Sequence, residues 1–293
     1  MNRAPVSVII PTWRRLDALK KTLRVLQAAT PKASEIIVHV DAGDTETAPW
    51  LKSCRPDVRV LTSTLQVGPG GGRNRLIAAA QYPYVASFDD DSYPLDADYF
   101  ARLVASFARH PKAGIIASGI FHRGETVHPA YDTSYQAADF VGCGCAYRRS
   151  AWKDFSGYLP LPIAYGAEER DVALQCLDTG WSVMKDCRLR VKHDTDLKHH
   201  LDAKKTAGAI VNRLLLAYVR YPAAYWPLGV AQYIKRIVWS VQSGRSAGVV
   251  TGIFATVPTL WKYRSARNPV SPEALKAYRA LQKGISDARG ALG

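Results

Sequence analysis

Short apolar runs alternate with amphipathic segments in the N-terminal half of the chain, and this alternation restricts the possible folds more than any other feature. The apolar runs cover residues 6–10, 35–40, 58–61, 84–88 and 113–117. Runs that are apolar on both faces are typical of strands buried inside a parallel sheet. Segments with apolar residues at helical spacing lie between them, at residues 16–29, 73–81 and 98–110. The pattern predicts an α/β fold with a mostly parallel central sheet and flanking helices.

Polar residues follow three of the predicted strands at the point where each strand ends. Pro11 and Thr12 follow the first strand, Asp41 follows the second, and Asp89-Asp90-Asp91 follow the fourth. Because ligands of parallel sheets bind at the carboxyl ends of the strands, we expect these residues to meet at one rim.

The three adjacent aspartates predict a cation site. Carboxylates this close repel one another unless a cation or a set of hydrogen-bond donors compensates them. Their hard oxygens suit Mg²⁺ or Mn²⁺, ions that proteins commonly share with substrate phosphates. The alternative is a solvated acidic turn, which is favoured by Ser92-Tyr93-Pro94 directly after the triplet.

Composition indicates a globular protein with a substantial core, because 47% of the 293 residues are hydrophobic and 22% are charged. The five cysteines show no Cys-x-x-Cys spacing, so we expect reduced, mostly buried thiols in a reducing compartment. Residues 1–5 lack the basic and apolar regions of a secretory signal. We therefore expect a cytoplasmic protein.

The net charge of +14 is concentrated in the C-terminal third of the chain. Residues 198–293 contain fifteen Lys and Arg but only three Asp and Glu, whereas residues 1–197 are nearly neutral. We predict a neutral α/β domain at residues 1–197 and a basic helical region at residues 198–293. Such asymmetry indicates an anionic partner surface: membrane lipid, nucleic acid or a charged glycan.

Two uncharged stretches, residues 221–234 and 246–261, lie within this basic region. Both are shorter than the roughly 20 apolar residues that a membrane-spanning helix needs. Both contain aromatic residues and are flanked by Arg and Lys, as segments at a membrane interface are. The pattern leaves open an alternative, a helical subdomain that packs on the core and keeps its basic residues in solvent.

Six segments, in this order along the chain, resemble the inverting glycosyltransferases of the large family 2, which have the GT-A fold. They are residues 6–12 as the opening strand, 35–44 as the second strand and its loop, 66–68 with Arg73 and Asn74, 89–91 as the D-x-D motif, 142–149, and 166–171 as the late acidic motif, which His193 follows. The resemblance therefore extends over most of the first two thirds of the chain.

The sequence departs from the family pattern at four positions. Gln66 stands where Asn is common, and Gly72 stands where Ala is common. Ala42 replaces the second aspartate of the loop that begins at Asp41, which weakens the expectation of pyrimidine contacts there. Glu169 stands where many members have Asp, so the carboxylate is kept on a side chain longer by one methylene.

The resemblance implies a nucleotide-diphosphate sugar as donor and Mg²⁺ or Mn²⁺ as cofactor. Asp91 is the implied metal ligand, and Asp89 is implied to meet the ribose, or the metal through water. His193 is a further candidate ligand, or else a histidine satisfied by a neighbour. Contacts to the donor nucleotide are implied for Pro11, Thr12, Asp41, Gly68, Arg73 and Asp90. For Arg73 the alternatives are a forked phosphate contact and a surface charge near a helix N-terminus.

An acidic cluster supplies three candidate general bases, Glu168, Glu169 and Asp171. If this segment is helical, Glu168 and Asp171 share one face and Glu169 points about 100° away. The resemblance favours Glu169 as the base, with Asp171 as a structural or acceptor contact. Stabilisation of a helix N-terminus is the alternative for the whole cluster.

The implied reaction is an inverting transfer of a hexosyl or deoxyhexosyl group to a hydroxyl of a glycan or lipid-linked acceptor. It fits polysaccharide or cell-envelope glycan synthesis by a peripheral protein on the inner face of the membrane. The basic C-terminal region is then expected to bind the anionic membrane surface, and no nucleic-acid partner is expected.

Two other functions remain compatible with parts of the sequence. Gly68-Pro-Gly70 opens a helix after a strand, and Asp89 lies about 20 residues further on, a spacing that resembles an NAD(P)-binding dehydrogenase. Arg73, however, occupies the third glycine position of that fingerprint. The other alternative is a non-catalytic basic module that binds membrane or nucleic acid, which would not need the acidic motifs of the neutral domain.

Overall fold

The computed structural model describes residues 3–159, 161, 167–195 and 202–290. Gly166, the first residue of the predicted acidic motif, and the predicted domain boundary between residues 197 and 198 lie outside the described residues.

The strands are β1 (Ala4–Thr12), β2 (Ala33–Val40), β3 (Arg59–Thr62), β4 (Tyr84–Phe88), β5 (Ser92–Pro94), β6 (Ala113–His122), β7 (Ser134–Gln136), β8 (Gly144–Arg148) and β9 (Ser182–His193). The helices are α1 (Leu16–Ala28), α2 (Thr47–Cys54), α3 (Gly68–Ala79), α4 (Tyr99–Arg109), α5 (Arg149–Trp152), α6 (Glu168–Asp178), α7 (Ala203–Arg220), α8 (Trp226–Gln242), α9 (Val249–Lys262) and α10 (Pro272–Gly290).

The strands form one sheet whose N-terminal part is parallel. The strand order is β3-β2-β1-β4-β8-β6-β9-β5, and β7 pairs with β9 off this path. Strands β3, β2, β1 and β4 run parallel to one another, as β6 and β9 do. This parallel core, covered by helices, confirms the predicted fold class.

Strand β8 runs antiparallel to its neighbours β4 and β6. Its first residue, Gly144, therefore pairs with Phe88, the last residue of β4. The reversed direction brings Gly142 and Cys143 to the rim where the three aspartates lie. An all-parallel sheet would have placed them at the opposite edge.

All five predicted strands are confirmed, as β1, β2, β3, β4 and β6, but helix α3 begins earlier than the predicted start at Arg73. Pro69 lies in its first turn, where the missing N–H is not needed. Two glycines let the helix pack closely. A Cβ at Gly70 would lie 2.6 Å from Oε1 of Glu168, and one at Gly72 would lie 2.9 Å from Nδ1 of His39. The glycine-rich segment is thus a helix N-terminus rather than a loop.

The core has two layers, one on each face of the sheet. Because side chains alternate along a strand, Val8 and Ile10 of β1 belong to one layer and Ile9 to the other. Helices α1 and α4 cover the first layer with Leu19, Leu23, Leu26, Phe100, Leu103 and Phe107. Helices α3 and α6 cover the second with Leu76, Ile77, Val172 and Leu174. Each of these buried side chains stabilises the fold by roughly 1.5–3 kcal/mol relative to exposure.

Parts of the C-terminal helices α7 and α10 pack in the second layer, and Leu215, Val219 and Tyr263 join a smaller cluster with Leu161 and Ala167. Leu216 and Ala217 of α7, and Leu275 and Tyr278 of α10, pack in the same cluster as Val172 of α6. Helices α8 and α9 pack against α7. In the described ranges, no helix combines the length and the apolar character needed to cross a bilayer.

Candidate active site

The three predicted strand ends meet at one rim, as expected. The hydroxyl of Thr12, at the end of β1, donates to Oδ2 of Asp90 at 2.9 Å. The backbone N–H of Asp41, just past β2, donates to the carbonyl of Thr12 at 3.0 Å. The parallel pairing of β1 with both β2 and β4 produces this convergence, because the carboxyl ends of all three strands then point the same way.

Each aspartate of the triplet is paired with an arginine. The guanidinium of Arg73 bonds the carboxylate of Asp89. Arg15 spans the other two, with Nη1 2.8 Å from Oδ1 of Asp90 and Nη2 2.6 Å from Oδ2 of Asp91. Asp90 and Asp91 are only 5% and 3% exposed. The alternative of a solvated acidic turn is therefore wrong.

Burial and the ion pairs shift the pKa values of Asp90 and Asp91 in opposite directions. Burial and the neighbouring charges of Asp89 and Asp91 raise the pKa of Asp90 to about 7, although Arg15 opposes the shift. Burial also acts to raise the pKa of Asp91, but the hydrogen bonds of His193 and Arg15 lower it to about 2. At neutral pH Asp91 is therefore a full carboxylate, the form that ligates a cation, while Asp90 titrates near neutrality.

A candidate cation site lies between strands β4, β8 and β9. Ligand atoms of Asp89, Cys143 and His193 lie within 4.8 Å of one another. His193 reaches this position because its strand β9 pairs with β5 in a register that sets His193 opposite Ser92. Its Nε2 lies 3.3 Å from Oδ1 of Asp91.

The chemistry of these donors fits Mg²⁺ or Mn²⁺. Carboxylate oxygens of Asp89 and Asp91 and the imidazole of His193 are ligands that Mn²⁺ accepts, and the carboxylates suit Mg²⁺. Burial raises the pKa of the Cys143 thiol well above its usual range, which keeps it protonated and unsuited to a hard cation. Of the predicted ligands, Asp89 and His193 therefore come together beside Cys143, and Asp91 lies outside this group of three but contacts His193.

Arg73 is buried, contrary to the alternative of a surface charge. It is 3% exposed, and its Nε donates to Oγ of Ser87 at 3.1 Å while another nitrogen bonds Asp89. Burial acts to lower the pKa of Arg73, but the charge of Asp89 and smaller contributions that include Glu169 raise it well above the ordinary value. A permanent positive charge therefore stands between the aspartate triplet and the acidic cluster of α6.

Helix α6 carries this acidic cluster in its first turn, as predicted. Glu168 is buried against Gly70, and burial together with the charge of Glu169 raises the pKa of Glu168 well above its ordinary value. Oε1 of Glu169 accepts a hydrogen bond from the N–H of Gly142 at 3.3 Å. Burial also raises the pKa of Glu169, and the charge of Arg73 opposes that rise.

Asp171 lies deeper and is held by structural partners. Its carboxylate bonds the Nε of Arg220 and accepts from Nε2 of Gln175 at 3.0 Å. Both Asp171 and Arg220 are almost fully buried. Of the three candidate bases, Asp171 is thus the one whose oxygens are already occupied by groups of the protein.

Asp41 organises the loop before α3. Its carboxylate accepts from the N–H groups of Ala42, Val67 and Gly68 and from the hydroxyl of Ser63, at 2.8–3.1 Å. Burial alone would raise the pKa of Asp41, but these donors lower it. A carboxylate offers about four lone-pair sites, so few remain for a nucleobase.

A cavity of about 730 Å³ opens at this rim. Six of the residues predicted to contact the donor nucleotide line it: Pro11, Thr12, Asp41, Gly68, Asp89 and Asp90. Lys262 and Tyr263, at the end of α9, complete the wall from the C-terminal region. Arg73, Asp91 and His193 are not among the lining residues; Arg73 pairs with Asp89, and His193 contacts Asp91.

Two residues of the site were missed from the sequence. Arg15 lies three residues after Thr12, the end of the first strand. This position near the carboxyl end of a predicted strand could have indicated a site residue. His39 lines the cavity, is 0% exposed and has no hydrogen-bond partner at either ring nitrogen among the described residues. Its place inside an apolar strand gave no signal, because a histidine there is usually satisfied by a neighbour. Burial lowers the pKa of His39, so the ring is neutral.

An acidic rim with its own arginines, a cavity beside it and a second carboxylate cluster on a separate helix are the parts of a group-transfer enzyme. Residues 7–156 match the family model described as "Glycosyl transferase family 2". The chain belongs to this family and is a glycosyltransferase. Membership of this family excludes the two alternative functions, an NAD(P)-binding dehydrogenase and a non-catalytic basic module. No curated protein sequence matches the chain.

Solved structures with similar folds include a mannosyltransferase and two other proteins bound to nucleotides or sugars. The mannosyltransferase PcManGT from Pyrobaculum calidifontis, in complex with GDP-Man and Mn²⁺, has a TM-score of 0.58 at 13% identity, covering 96% of this chain and 87% of that one. S. aureus TarS 1–349 with UDP-GlcNAc has a TM-score of 0.57 at 15% identity, covering 79% and 72%. GalNAc-T7 with UDP, GalNAc and Mn²⁺ has a TM-score of 0.61 at 13% identity, covering 84% and 59%. At these identities the likeness concerns the fold.

Proposed function

We propose that the protein is a metal-dependent, inverting glycosyltransferase that moves one sugar from a nucleotide-diphosphate donor to a hydroxyl of a glycan or lipid-linked acceptor. The observation that carries the proposal is the arrangement around Arg73, with Asp89 on one side and Glu169 on the other. One side suits a leaving diphosphate and its cation, and the other suits an attacking hydroxyl. Complexes of similar folds with GDP-Man, UDP-GlcNAc and Mn²⁺ support the donor class and the metal.

Asp91, Asp89 and His193 are the residues that would hold Mg²⁺ or Mn²⁺. A bound divalent cation supplies neutralisation of the departing diphosphate. Asp90, tied to Thr12 and Arg15, keeps the rim in place. Arg15 is half exposed and can exchange its carboxylate partners for donor phosphate, since a guanidinium binds both in the same forked manner.

The donor nucleotide fits the cavity beside the rim. Pro11, Thr12 and Gly68 line its floor, and Asp41 supports the loop that forms one wall. His39 offers the otherwise unpartnered polar groups of this wall. A neutral imidazole provides one donor and one acceptor, which suits a nucleobase edge.

Glu169 acts as the general base. It takes the proton of the acceptor hydroxyl while the acceptor oxygen forms a bond to the anomeric carbon. The bond from that carbon to the diphosphate oxygen breaks, and its electron pair leaves with the diphosphate. One displacement of this kind inverts the anomeric centre. Glu168, buried against Gly70, and Asp171, paired with Arg220, hold the helix that presents Glu169.

We place the reaction in polysaccharide or cell-envelope glycan synthesis at the cytoplasmic side of a membrane. Support comes from the charge of the C-terminal region, which is positive while the α/β domain is nearly neutral. Peripheral attachment to anionic lipid brings such an enzyme to acceptors that are assembled on the membrane.

A donor screen tests the proposal. The purified protein is incubated with Mn²⁺ and a panel of nucleotide-diphosphate sugars, and release of the nucleotide diphosphate is measured by mass spectrometry. We expect one or a few donors to be turned over, and Asp91→Ala to abolish the release. Turnover that is equal in the Asp91→Ala variant, or no turnover of any donor with any acceptor extract, would overturn the proposal.

A further inference from the structure

Helix α8 exposes an apolar stripe on its outer face. The stripe consists of Trp226, Val230, Ile234, Val238 and Val241, each between 41% and 54% exposed, and its spacing of three or four residues keeps it on one side. The other side of the helix packs on α7, where Gly229 lies against Ala217. The stripe therefore faces away from the protein.

Helix α9 repeats the arrangement. Val250, Ile253, Phe254, Val257 and Trp261 are exposed, with Phe254 at 78% and Val257 at 73%. Gly252 of the same helix packs on Ala207 of α7. Two neighbouring helices thus turn large apolar side chains outward. Contiguous exposed apolar surface of this kind marks an interaction site. We call the two stripes together the α8–α9 face.

The segment that carries the α8–α9 face has only positive charges. Between Asp202 and Glu273 the sequence has ten Lys and Arg and no Asp or Glu. Arg236 and Arg245 lie over the ring of Trp239, at 4.5 and 5.0 Å from its centroid, and Arg264 lies 4.4 Å from that of Trp261. Tryptophan beside arginine at the edge of an apolar surface is the pattern of a protein segment in a membrane interface.

The face continues into the wall of the donor cavity. Trp261 is 69% exposed on the face, and the next two residues, Lys262 and Tyr263, line the cavity. Whatever covers the α8–α9 face therefore lies next to this cavity.

We propose that the α8–α9 face docks in the headgroup region of an anionic bilayer and holds the cavity at the membrane surface, so that the acceptor hydroxyl is carried by a lipid. The apolar stripes insert and the surrounding Lys and Arg bind anionic headgroups. A second copy of the chain fits less well, because a symmetric contact through this face would oppose two surfaces of the same charge. The acceptor part rests on the proposed function, whereas docking does not.

Flotation with lipid vesicles tests docking without donor or metal. The full chain is mixed with vesicles of phosphatidylcholine alone or with 30% phosphatidylglycerol, and the floated fraction is measured at two salt concentrations. We expect flotation with the anionic vesicles that weakens as salt increases. No flotation with anionic vesicles, or equal flotation with both vesicle types, overturns the proposal.

Two double variants examine the two components of the face. Phe254→Ser with Val257→Ser removes apolar side chains that are largely exposed, so the fold should be kept. Lys235→Glu with Arg264→Glu reverses two charges outside the cavity wall. Each Lys or Arg near an anionic surface contributes about fivefold to binding, so the second variant should lose at least about 25-fold in partitioning. Wild-type flotation by both variants would contradict docking through this face.

Matched controls carry the same substitutions elsewhere. Val127→Ser with Tyr131→Ser replaces exposed apolar residues before β7, and Lys52→Glu with Lys153→Glu reverses exposed charges on α2 and after α5. Both should float like the wild type. If they lose binding equally, attraction is by net charge or general hydrophobicity and docking through the α8–α9 face is refuted.

Analytical ultracentrifugation without lipid tests whether a second copy of the chain covers the face instead. A dimer that is abolished by Phe254→Ser with Val257→Ser overturns membrane docking.

The acceptor part has its own readout. With the donor found by the screen, vesicles of total lipid extract should yield labelled product that partitions into organic solvent. Product found only in the aqueous phase overturns the lipid-borne acceptor. Asp91→Ala should still float, so loss of transfer and loss of docking are distinguishable.

Discussion

Asp171 of α6 and Arg220 of α7 form a buried ion pair that joins the helix of the acidic cluster to the C-terminal region. The guanidinium bonds both carboxylate oxygens, with Nη2 3.3 Å from Oδ2, and Nη1 donates to the carbonyl of Asn268 at 3.1 Å. The two side chains are 3% and 2% exposed. The position of Glu169 at the start of α6 therefore depends on a contact between Asp171 and a residue 49 positions further along the chain.

Arg220→Ala should destabilise the protein by about 3–5 kcal/mol, because it leaves the buried carboxylate of Asp171 without its partner. Urea unfolding followed by circular dichroism measures the change. Arg109→Ala is the matched control, since it breaks an ion pair with Asp132 whose side chains are 43% and 67% exposed, and should cost less than about 1 kcal/mol. Equal effects of the two substitutions would contradict the structural role of the pair.

Glu169→Gln should lower kcat about 100- to 10,000-fold and leave donor binding unchanged, because removal of a general base affects the proton transfer alone. Steady-state kinetics and calorimetric titration with the donor nucleotide give the two quantities. Glu168→Gln serves as comparison and should retain most of the activity. If Glu168→Gln is the inactive variant instead, the base has been assigned to the wrong residue.

The value of kcat/KM should fall on the acidic side of the pH profile, with an apparent pKa above the ordinary glutamate value of about 4.3. Burial raises the pKa of Glu169, and a base must be ionised, so activity falls as pH decreases through that raised pKa. Asp90, with a pKa of about 7, titrates nearby, so the profile of Asp90→Asn is recorded as well and should keep the fall at low pH. Two results would contradict Glu169 as the base: a fall in kcat/KM with the ordinary glutamate pKa, or a fall at low pH that disappears in Asp90→Asn.

Glu168→Gln should also stabilise the protein at neutral pH. The pKa of Glu168 is raised in the folded protein, so folding favours the protonated carboxyl. Its contribution to the free energy of unfolding is complete at pH values below the pKa of the unfolded chain. The contribution is lost as pH rises through the pKa of the folded protein. The amide cannot ionise, so above that range the variant should gain on the order of 1 kcal/mol or more. Guanidinium unfolding at pH 5 and pH 8 measures the difference, which should be larger at pH 8.

Asp91→Ala should weaken Mn²⁺ binding by more than the roughly 10–100-fold typical of residues that only orient a ligand. Electron paramagnetic resonance of free Mn²⁺, with the nucleotide diphosphate present, reports binding without catalysis. Asp17→Ala is the control, because its side chain is 96% exposed on α1. Wild-type Mn²⁺ affinity in Asp91→Ala would exclude the aspartate as a ligand.

Local patterns in the sequence were sufficient for the parallel core and the acidic rim. The run at residues 6–10 is apolar on both faces, so it could be recognised as the buried strand β1 without tertiary information. The triplet Asp89-Asp90-Asp91 follows another such run, and strand ends in a parallel sheet converge by geometry. Thr12 and Asp90 are consequently in contact as predicted.

The partners of these carboxylates could not be predicted, because they come from distant parts of the chain. Arg15 pairs with Asp90 and Asp91, and Arg220 pairs with Asp171. The position of Arg220 does not differ in pattern from that of a solvated arginine. Arg15 follows the first strand closely, but the sequence does not show which carboxylates it contacts. The start of α3 was misplaced for a related reason. Gly70 and Gly72 are poor helix formers, so the helix was predicted to start later, and the close approach of Glu168 and His39 accounts for glycine at these positions.

The shared core has a consequence for domain exchange among glycosyltransferases. Leu216, Leu275 and Tyr278 lie in the same cluster as Val172 of α6, so the C-terminal helices help to support that helix. A chimera that joins this α/β part to a foreign C-terminal region would have to reproduce those apolar contacts and Arg220. The helix that carries the acidic cluster therefore cannot be separated from the C-terminal region without losing this packing and the ion pair.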